Sequence, residues 1–284
     1  KNANLNKKHH KGVIAIGNFD GIHLGHQKVI NEARKKAKSK KLPFGIITFE
    51  PMPVMYFNSK IKNHRINSLE QKKIQLKKLK LDFLIIIKFN KIFSSLTAEK
   101  FIKEIIYNKT KSSFLYVSKN FKFGYKRRGN IQTLKKYEKL YNFKCLIIRP
   151  YKKNKKIISS TLIRKKIING KIREANTLLN REWNIKGKVI KGRQLGRKIG
   201  FPTCSLQLND YIVPCNGVYA VQVKGSNFNK KGIANVGFRP TFKGKNLLLE
   251  TNIFVINKNL YNKEINLSFK KYDNEGFVSK IQNK

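Results

Sequence analysis

The sequence predicts an α/β fold followed by a small antiparallel β-barrel, and two patterns lead to this prediction. From Gly12 to about Arg149, short continuous apolar runs alternate with amphipathic stretches, which is typical of a parallel sheet covered by helices on both faces. From about Trp183, the strand candidates are shorter and separated by Gly, Asn and Pro, which is typical of an antiparallel barrel or sandwich. The chain has 284 residues, 40% of them hydrophobic, which is enough for two packed cores. We expect one domain over residues 1–182 and a second over residues 183–284.

The individual elements follow from the same patterns. In the first domain, strands are predicted within residues 12–19, 44–50, 83–89, 114–118 and 145–150. Helices are predicted over residues 26–40, 69–80, 97–108 and 131–141. Residues 158–180 read as two short helices, with Ser159 to Thr161 as the N-cap of the first. In the second domain, strands are predicted within residues 183–192, 217–225, 231–238, 247–256 and 263–269.

The formal net charge of +48 is the most unusual property of the composition. It is compatible with a nucleic-acid partner, an anionic substrate or a general compositional bias. Lysines occur in nearly every segment, including "RKKAKSKK" and "QKKIQLKKLK", and no block of like charge forms a dedicated tail. We therefore interpret most lysines as solvated and expect only weak, salt-sensitive binding to nucleic acid.

Cysteine usage and hydropathy indicate a soluble protein of a reducing compartment. Cys145, Cys204 and Cys215 are an odd number without CxxC spacing, which argues against a disulfide framework or a cysteine zinc site. The longest apolar runs, such as Phe83 to Phe89, are too short to cross a bilayer, and no hydrophobic signal-peptide segment follows the charged N-terminus. We expect a cytoplasmic protein with three unpaired thiols and no membrane partner.

The stretch "GNFDGIHLGHQ" connects the first predicted strand to the first predicted helix. In open α/β sheets, ligands bind beyond the carboxyl ends of the strands, where a helix N-terminus offers N–H groups to phosphates. His23 and His26 fit a phosphate site there, as donors to charge that develops during transfer. Zinc is the alternative, although an HxxH pair is a weak signal and no other histidine completes a ligand set. A purely structural role is the third.

Several further motifs occur in a fixed order along the chain. The first half contains "GNFDGIHLGHQ", "TFEPMP", "NFKFGYKRRGN" and "ISSTLIRKKI", and the second contains "GKVIKGRQLGRKIGFPT", "GVYAVQV", "ANVGFRPTF" and "LETNIF". Together they resemble the bacterial bifunctional riboflavin kinase and FMN adenylyltransferase family, also called FAD synthetase, over nearly the whole chain. The resemblance implies a Rossmann-like nucleotidyltransferase domain and a riboflavin kinase-like barrel. It also implies a transferase that uses ATP to convert riboflavin to FMN and FMN to FAD.

For the first domain, the resemblance implies transfer of AMP from ATP to FMN, with release of pyrophosphate. His23 and His26 match the catalytic pair that would hold the ATP phosphates and stabilise the leaving group. Further ATP-binding residues implied by the resemblance are Gly17, Asn18, Phe19, Asp20, Gly25, Ser159, Ser160, Thr161 and Arg164. On the flavin side it implies Asn120, Phe121 and Phe123, and for the two aromatic rings core packing is the alternative.

For the second domain, the resemblance implies phosphorylation of riboflavin by ATP with Mg²⁺. The implied phosphate-binding residues are Gly192, Gly196, Gly200, Pro202 and Thr203. Thr203 and Ser205 would hold the magnesium ion, and Glu250 would take the proton from the ribityl hydroxyl. The family pattern continues with Ala-Asn after "GFPT", where this chain has Cys204 and Ser205. The serine is shorter than asparagine and is a poorer mimic of its carbonyl ligand.

The expected function is thus synthesis of both FMN and FAD by a monomer that binds small molecules and no specific nucleic acid. One alternative keeps only FMN adenylyltransferase activity, with a decayed kinase domain, and the change at Ser205 motivates it. A second alternative is a nucleic-acid-binding protein on a nucleotidyltransferase-like scaffold. That alternative is disfavoured because the chain keeps its site motifs and lacks an aromatic-basic RNA-binding signature.

Overall fold

The structure is a computed structural model that describes residues 5–61, 63–153, 155–190, 203–208, 211–241, 244–255 and 259–273. The chain packs as two compact units. The first comprises Lys1–Ile61 and Leu69–Ile158, and the second comprises Lys62–Ser68 and Ser159–Lys284. These units are defined by packing, so the functional division expected after Glu182 stays a prediction.

The first unit is built on a five-stranded parallel sheet in the order β3-β2-β1-β4-β5. The strands are β1 (Val13–Ile16), β2 (Phe44–Glu50), β3 (Phe83–Lys88), β4 (Phe114–Ser118) and β5 (Lys144–Ile148). Strand β1 is central, and its four side chains are all buried. The chain first adds strands on one side of β1 and then returns to the other side, which places a topological switch point at β1. The predicted parallel sheet is confirmed.

Helices follow the strands as the periodicity predicts, with differences at their ends. They are α1 (Leu24–Lys40), α2 (Pro53–Phe57), α3 (Leu69–Lys77), α4 (Lys91–Ser94), α5 (Ala98–Phe101) and α6 (Ile131–Lys136). Helix α5 continues directly as a π-helix over Ile102–Thr110. Helix α6 ends earlier than predicted, and beyond it the Glu138 carboxylate accepts a hydrogen bond from the Cys145 N–H at 2.7 Å. The short helices α2 and α4 are not among the predicted elements.

Helix α1 shows why its sequence forms an amphipathic helix. Val29, Ile30, Ala33 and Ala37 are buried at helical spacing, and they pack in the apolar cluster on one side of the sheet. Lys41 is the C-cap residue of this helix. Its φ of 53° is left-handed, and its N–H donates hydrogen bonds to carbonyls of the last turn. The predicted helix over residues 26–40 is therefore confirmed, with its start two residues earlier.

A small hairpin of β6 (Lys152–Lys153) and β7 (Lys156–Ile157) is the last element of the first unit. The segment Ser159–Lys284 of the second unit then begins with two helices. Helix α7 spans Ser160–Ile168 and helix α8 spans Ile172–Leu179. The Ser159 side chain caps α7 by accepting a hydrogen bond from the Leu162 N–H at 3.2 Å. The two predicted short helices are thus confirmed, and of the predicted N-cap residues Ser159 to Thr161 only Ser159 is the cap, since the helix begins at Ser160.

A closed antiparallel barrel forms the rest of the second unit, in the order β10-β11-β12-β9-β8-β13. Its strands are β8 (Asn184–Ile190), β9 (Thr203–Gln207), β10 (Gly217–Lys224), β11 (Asn229–Thr241), β12 (Gly244–Ile253) and β13 (Glu264–Asp273). Its core contains Trp183 and Tyr219 against Phe269, with ring centroids 4.7 and 5.4 Å from the Phe269 ring. The predicted barrel is confirmed, and β9 is an additional strand that the sequence pattern does not predict.

Candidate active sites

The loop from β1 to α1 lies at the switch point of the parallel sheet. It leaves the sheet at Gly17, whose N–H donates to the Ile47 carbonyl at 3.1 Å. Three residues of the loop then take positive φ angles: Phe19 (47°), Gly21 (82°) and Ile22 (40°). For Phe19 and Ile22, this backbone conformation costs free energy, so the surrounding contacts must hold it in place. One such contact is the Gln27 side-chain amide, which donates to the Ile22 carbonyl at 2.9 Å.

The Asn18 carbonyl of this loop accepts two side-chain hydrogen bonds. The Thr48 hydroxyl donates to it at 3.1 Å, and the Lys72 ammonium donates to it at 2.9 Å. Both donor residues are buried, Thr48 completely and Lys72 to 1% exposure. The peptide between Asn18 and Phe19 is therefore held from β2 and from α3 together.

His23 and His26 form a stacked pair at the start of α1. Their ring centroids are 3.7 Å apart with an interplanar angle of 21°. His23 is the N-cap residue, and its Nδ1 accepts the backbone N–H of His26 at 3.3 Å. Because Nδ1 accepts, the neutral ring carries its proton on Nε2, which becomes a hydrogen-bond donor. The Phe19 ring meets His26 edge-on at 5.3 Å.

Small residues make the close packing of the pair possible. A Cβ atom at Gly25 would lie 3.0 Å from Cε1 of His23 and 3.1 Å from the Ile158 carbonyl oxygen. A Cβ atom at Gly17 would approach the Phe19 ring to 3.2 Å. A side chain at position 25 would therefore crowd the His23 imidazole and the Ile158 carbonyl, and glycine avoids this crowding. Asp20 is buried in the same loop.

The electrostatics of this helix start favour an anion. The first N–H groups of an α-helix have no intrahelical partner and carry partial positive charge. The first turn of α1 contains no acidic residue. Over the described part of the chain, no group of three or more His, Cys, Asp and Glu residues is placed to hold a metal ion. The arrangement thus fits a phosphate group and gives the zinc alternative no support.

The second predicted phosphate motif lies at the start of α7, in the second unit. Ser159 is the N-cap described above, Ser160 is half-buried and Thr161 is exposed. The Arg164 Nε donates to the His64 carbonyl at 2.8 Å, so this guanidinium is fixed by the segment Lys62–Ser68 of the same unit. The three hydroxyl residues therefore lie at the start of α7, and Arg164 lies in the second turn of the same helix.

The predicted flavin residues differ in their surroundings. Asn120 is exposed and Phe121 is half-buried. Phe123 is 7% exposed and packs in the apolar core, 5.1 Å from the Phe101 ring and stacked at 5.4 Å on Phe121. Phe123 therefore has the surroundings of a core residue, which is the alternative to contact with the flavin.

Sequence reasoning missed an aromatic cluster that lies just beyond β2 and β3. It consists of Tyr56, Phe57, Phe89 and Phe93, with ring centroids 5.2 to 5.6 Å apart in the contacting pairs. Phe57 is 68% exposed, although its ring contacts the rings of Tyr56 and Phe89. The signal was present in "PMPVMYF", where apolar residues continue past two prolines at the end of a buried strand.

The predicted kinase residues meet on the wall of the barrel. In the antiparallel register, Ser205 of β9 lies opposite Glu250 of β12, and Thr203 lies opposite Asn252. Side chains two apart on a strand point to the same face, and opposed residues share a face. Thr203, Ser205, Glu250 and Asn252 therefore form one polar patch. Ser205 is 2% exposed and Glu250 is half-buried.

Cys204 lies between the two hydroxyl residues but on the opposite, core-facing side of β9. Burial raises the pKa of its thiol to about 12, so it stays neutral at ordinary pH and is unsuited to bind a metal as thiolate. The hydroxyl oxygens of Thr203 and Ser205 are hard ligands of the kind that Mg²⁺ accepts. The predicted residues Gly192, Gly196, Gly200 and Pro202 lie outside the described residues.

The fold and these two sites define a class of protein. A parallel α/β sheet whose switch point carries a helix start suited to an anion, followed by a barrel with a carboxylate opposite hydroxyls, is typical of a two-domain transferase that works on nucleotides. The family model for FAD synthetase matches residues 5–162, and the family model for riboflavin kinase matches residues 179–276. The chain belongs to the family of bifunctional riboflavin kinase/FMN adenylyltransferases, and both domains are present.

Named relatives support this assignment over most of their length. The bifunctional riboflavin kinase/FMN adenylyltransferase of Buchnera aphidicola subsp. Schizaphis graminum is 43% identical, covering 97% of this chain and 90% of the relative. That of Haemophilus influenzae is 39% identical, covering 90% and 83%, and that of Escherichia coli K12 is 32% identical, covering 94% and 86%. The two domain matches favour a bifunctional enzyme over a nucleic-acid-binding protein.

A solved structure shares the fold. A crystal structure described as a macrolide-efflux protein from Streptococcus pneumoniae superimposes with a TM-score of 0.83 at 28% identity, covering 96% of this chain and 92% of that one. The words "macrolide-efflux" describe that protein, and the similarity supports only the fold. In the described part of this chain, every helix is too short or too polar to span a membrane.

Proposed function

We propose that the chain phosphorylates riboflavin to FMN with one ATP and adenylylates FMN to FAD with a second ATP. The observation that carries this proposal is the stacked pair His23–His26 at the N-terminus of α1, in a chain with both family domains. A helix start with two imidazoles suits the phosphates of ATP, because transfer of a phosphoryl or adenylyl group needs positioning and charge stabilisation and no covalent nucleophile.

In adenylyl transfer, an oxygen of the FMN phosphate attacks the α-phosphorus of ATP. The new P–O bond forms as the bond between the α-phosphorus and the bridging oxygen breaks, and pyrophosphate leaves. We assign to His23 and His26 the donation of hydrogen bonds to the leaving pyrophosphate, together with the first N–H groups of α1. FMN needs no general base, since a phosphate monoester is largely ionised at pH 7.

Other residues would complete the ATP site. Gly17 and Gly25 allow close backbone approach, and Asn18, Phe19 and Asp20 shape the loop beside the histidines. Ser159, Ser160, Thr161 and Arg164 are proposed as a second set of donors to the triphosphate. Their support is the start of α7, where hydroxyls occur beside the first N–H groups of the helix, with Arg164 one turn further along.

For the flavin, we propose stacking of the isoalloxazine ring on exposed aromatic side chains at the carboxyl edge of the sheet. Asn120 and Phe121 remain the predicted contacts from the sequence. Phe57 is added to them because its ring is largely exposed and is backed by Tyr56 and Phe89. Phe123 would act by supporting Phe121 from the core.

In the kinase reaction, Glu250 would accept the proton of the ribityl hydroxyl as its oxygen attacks the γ-phosphorus of ATP, and ADP leaves. Thr203 and Ser205 would hold Mg²⁺, and the ion when bound would neutralise charge on the phosphates. The register of β9 and β12 supports this assignment, since it brings both hydroxyls to the face of the carboxylate. Gly192, Gly196, Gly200 and Pro202 are proposed to lend backbone amides to the same phosphates.

The remaining expectations concern the protein in the cell. We propose a functional division after Glu182, a cytoplasmic location and a monomer. The proposed partners are riboflavin, FMN and ATP, with no specific nucleic acid and no membrane. Part of the large basic surface would attract the anionic FMN and ATP over long range.

The test is a chromatographic assay with purified protein, ATP and Mg²⁺ that follows FMN and FAD separately. Starting from riboflavin, both products are expected. If FAD forms only when FMN is supplied, the chain is an FMN adenylyltransferase with a decayed kinase domain, the alternative that Ser205 favours. If neither product forms, the proposed function is wrong.

A further inference from the structure

Lys72 is a charged side chain that donates a hydrogen bond to the loop between β1 and α1 (residues 17–23) from another helix. It lies in α3, in the first unit, and is 1% exposed. Its Nζ lies 2.9 Å from the carbonyl oxygen of Asn18, 54 residues earlier in the chain. The neighbouring Lys73 is exposed, as most lysines of this protein are expected to be.

Burial of this ammonium is costly, and the cost calls for an explanation. A lysine side chain loses rotamer freedom and hydration when it is buried, and replacement of a buried charge by an apolar group of similar volume is often neutral or stabilising. Helix α3 already buries Leu76 completely, so an apolar residue at position 72 would suit its packing. To such packing, the ammonium adds the hydrogen bond to the Asn18 carbonyl.

The contacts connect Lys72 to the histidine pair in three steps. Its hydrogen bond fixes the Asn18 carbonyl, which belongs to the peptide before Phe19. That peptide leads into the positive φ of Phe19, and the buried Phe19 ring then meets His26 edge-on at 5.3 Å. A charged donor makes a stronger hydrogen bond than the neutral hydroxyl of Thr48, which shares the same acceptor.

We propose that Lys72 is a positioning residue for adenylyl transfer. It holds the Asn18–Phe19 peptide in its strained conformation and so fixes the Phe19 ring against which His26 is oriented. Lys72 itself touches no reacting atom. The proposal rests on the proposed adenylyl transfer at the histidine pair and adds a residue that acts through the loop backbone.

The test uses the full chain with Lys72→Met, which removes the donor and keeps the side-chain volume. The expected result is a fall in kcat for FAD formation from FMN of about 10- to 100-fold, because small displacements of catalytic groups have large effects on rate. The KM for FMN and the rate of FMN formation from riboflavin in the same preparation should stay unchanged. Lys73→Met, on the exposed face of α3, is the matched control and should behave as wild type.

A second variant keeps the proposal falsifiable if Lys72→Met does not fold. Thr48→Val removes the neutral donor to the same carbonyl and should lower the same kcat by about fivefold, again without change in the kinase step. The proposal is overturned if folded Lys72→Met keeps its kcat within twofold, or if kinase and adenylyl transfer fall together. It is also overturned if Thr48→Val is fully active while Lys72→Met is not. Failure of wild-type protein to make FAD from FMN would instead reject the proposed function.

Discussion

The loop between β1 and α1 in the first unit and the polar patch of Thr203, Ser205, Glu250 and Asn252 on the barrel wall are built in different ways. The loop collects its candidate ATP-binding residues within a short stretch, from Gly17 to His26, and Thr48 and Lys72 both donate hydrogen bonds to its Asn18 carbonyl. The wall brings Thr203, Ser205 and Glu250 together only through the register of two strands. The comparison shows that a site built from one local motif can be predicted from the sequence. A site built by strand pairing can be identified only once the register of the strands is known.

The largest expected effect is the separation of the two activities by removal of one histidine. His26→Ala should lower kcat for FAD formation by about 100- to 1000-fold, since it removes a donor to the leaving group. FMN formation from riboflavin should be unchanged. Steady-state rates of both reactions on one preparation check this. His10→Ala, in a histidine outside the loop, serves as the control, and an equal loss in both variants would contradict a specific role.

The reciprocal variant tests the barrel wall. Glu250→Gln should reduce FMN formation by about 100-fold or more, because the general base is lost, and should leave FAD formation from FMN intact. Glu264→Gln is the matched control, since Glu264 is an exposed carboxylate on β13 that pairs with Lys186 at 2.8 Å. Initial rates with riboflavin decide between the outcomes, and unchanged FMN formation in Glu250→Gln would refute the assignment of the base.

Gly25→Ala probes the tightness of the loop. The added Cβ would lie within 3.1 Å of the His23 ring and the Ile158 carbonyl, and the backbone oxygen cannot move aside easily. We expect about a tenfold fall in kcat for FAD formation, through displacement of the histidine pair. Gly237→Ala on β11 is the control, since no atom lies within 4 Å of the position of its added Cβ. Wild-type activity in Gly25→Ala would show that the loop tolerates the shift.

The smallest expected effect concerns two buried thiols, one in each of the two units. Burial raises the pKa of Cys145 in β5 and of Cys204 in β9 from 9.0 to about 12. Above pH 9 the unfolded state releases these protons and the folded state keeps them, so the stabilising contribution present below pH 9 is lost as pH rises towards 12. Each thiol then lowers the free energy of unfolding by at most about 1.4 kcal/mol per pH unit.

Urea unfolding between pH 8 and pH 11 measures this loss. Cys145→Val and Cys204→Val should each flatten the decline of stability with pH, whereas Cys215→Val, at the half-buried cysteine, is the comparison. If the decline is equally steep in all three variants, burial of the two thiols is not its cause.

Much of the fold could be predicted because its signals are local. Apolar runs predicted the five parallel strands, and the N-cap at Ser159 was visible from residue type alone. The end of α6 at Lys136 could not be predicted from local pattern. Just beyond it, the Glu138 carboxylate accepts a hydrogen bond from the N–H of Cys145 in β5, which is a contact between distant parts of the chain. Strand β9 was hidden because its residues follow a glycine-rich motif that reads as a loop.

The candidate site was partly predictable for the same reason. His23 and His26 stood out because histidine is rare in this chain, with five residues in all. Lys72 could not be distinguished from Lys73 in a segment where lysine is the commonest residue, and only burial separates the two. Phe57 was missed because exposure of an aromatic ring depends on its neighbours in space.

The most direct test of two independent sites is complementation between the two inactive variants. His26→Ala and Glu250→Gln should each make FAD from riboflavin, ATP and Mg²⁺ at only a small fraction of the wild-type rate, because the first accumulates FMN and the second forms little FMN. The mixture should restore FAD formation, as FMN released by one variant becomes the substrate of the other. If the mixture forms no FAD although each variant keeps its remaining activity, the two sites do not work as separate centres, and the account is contradicted.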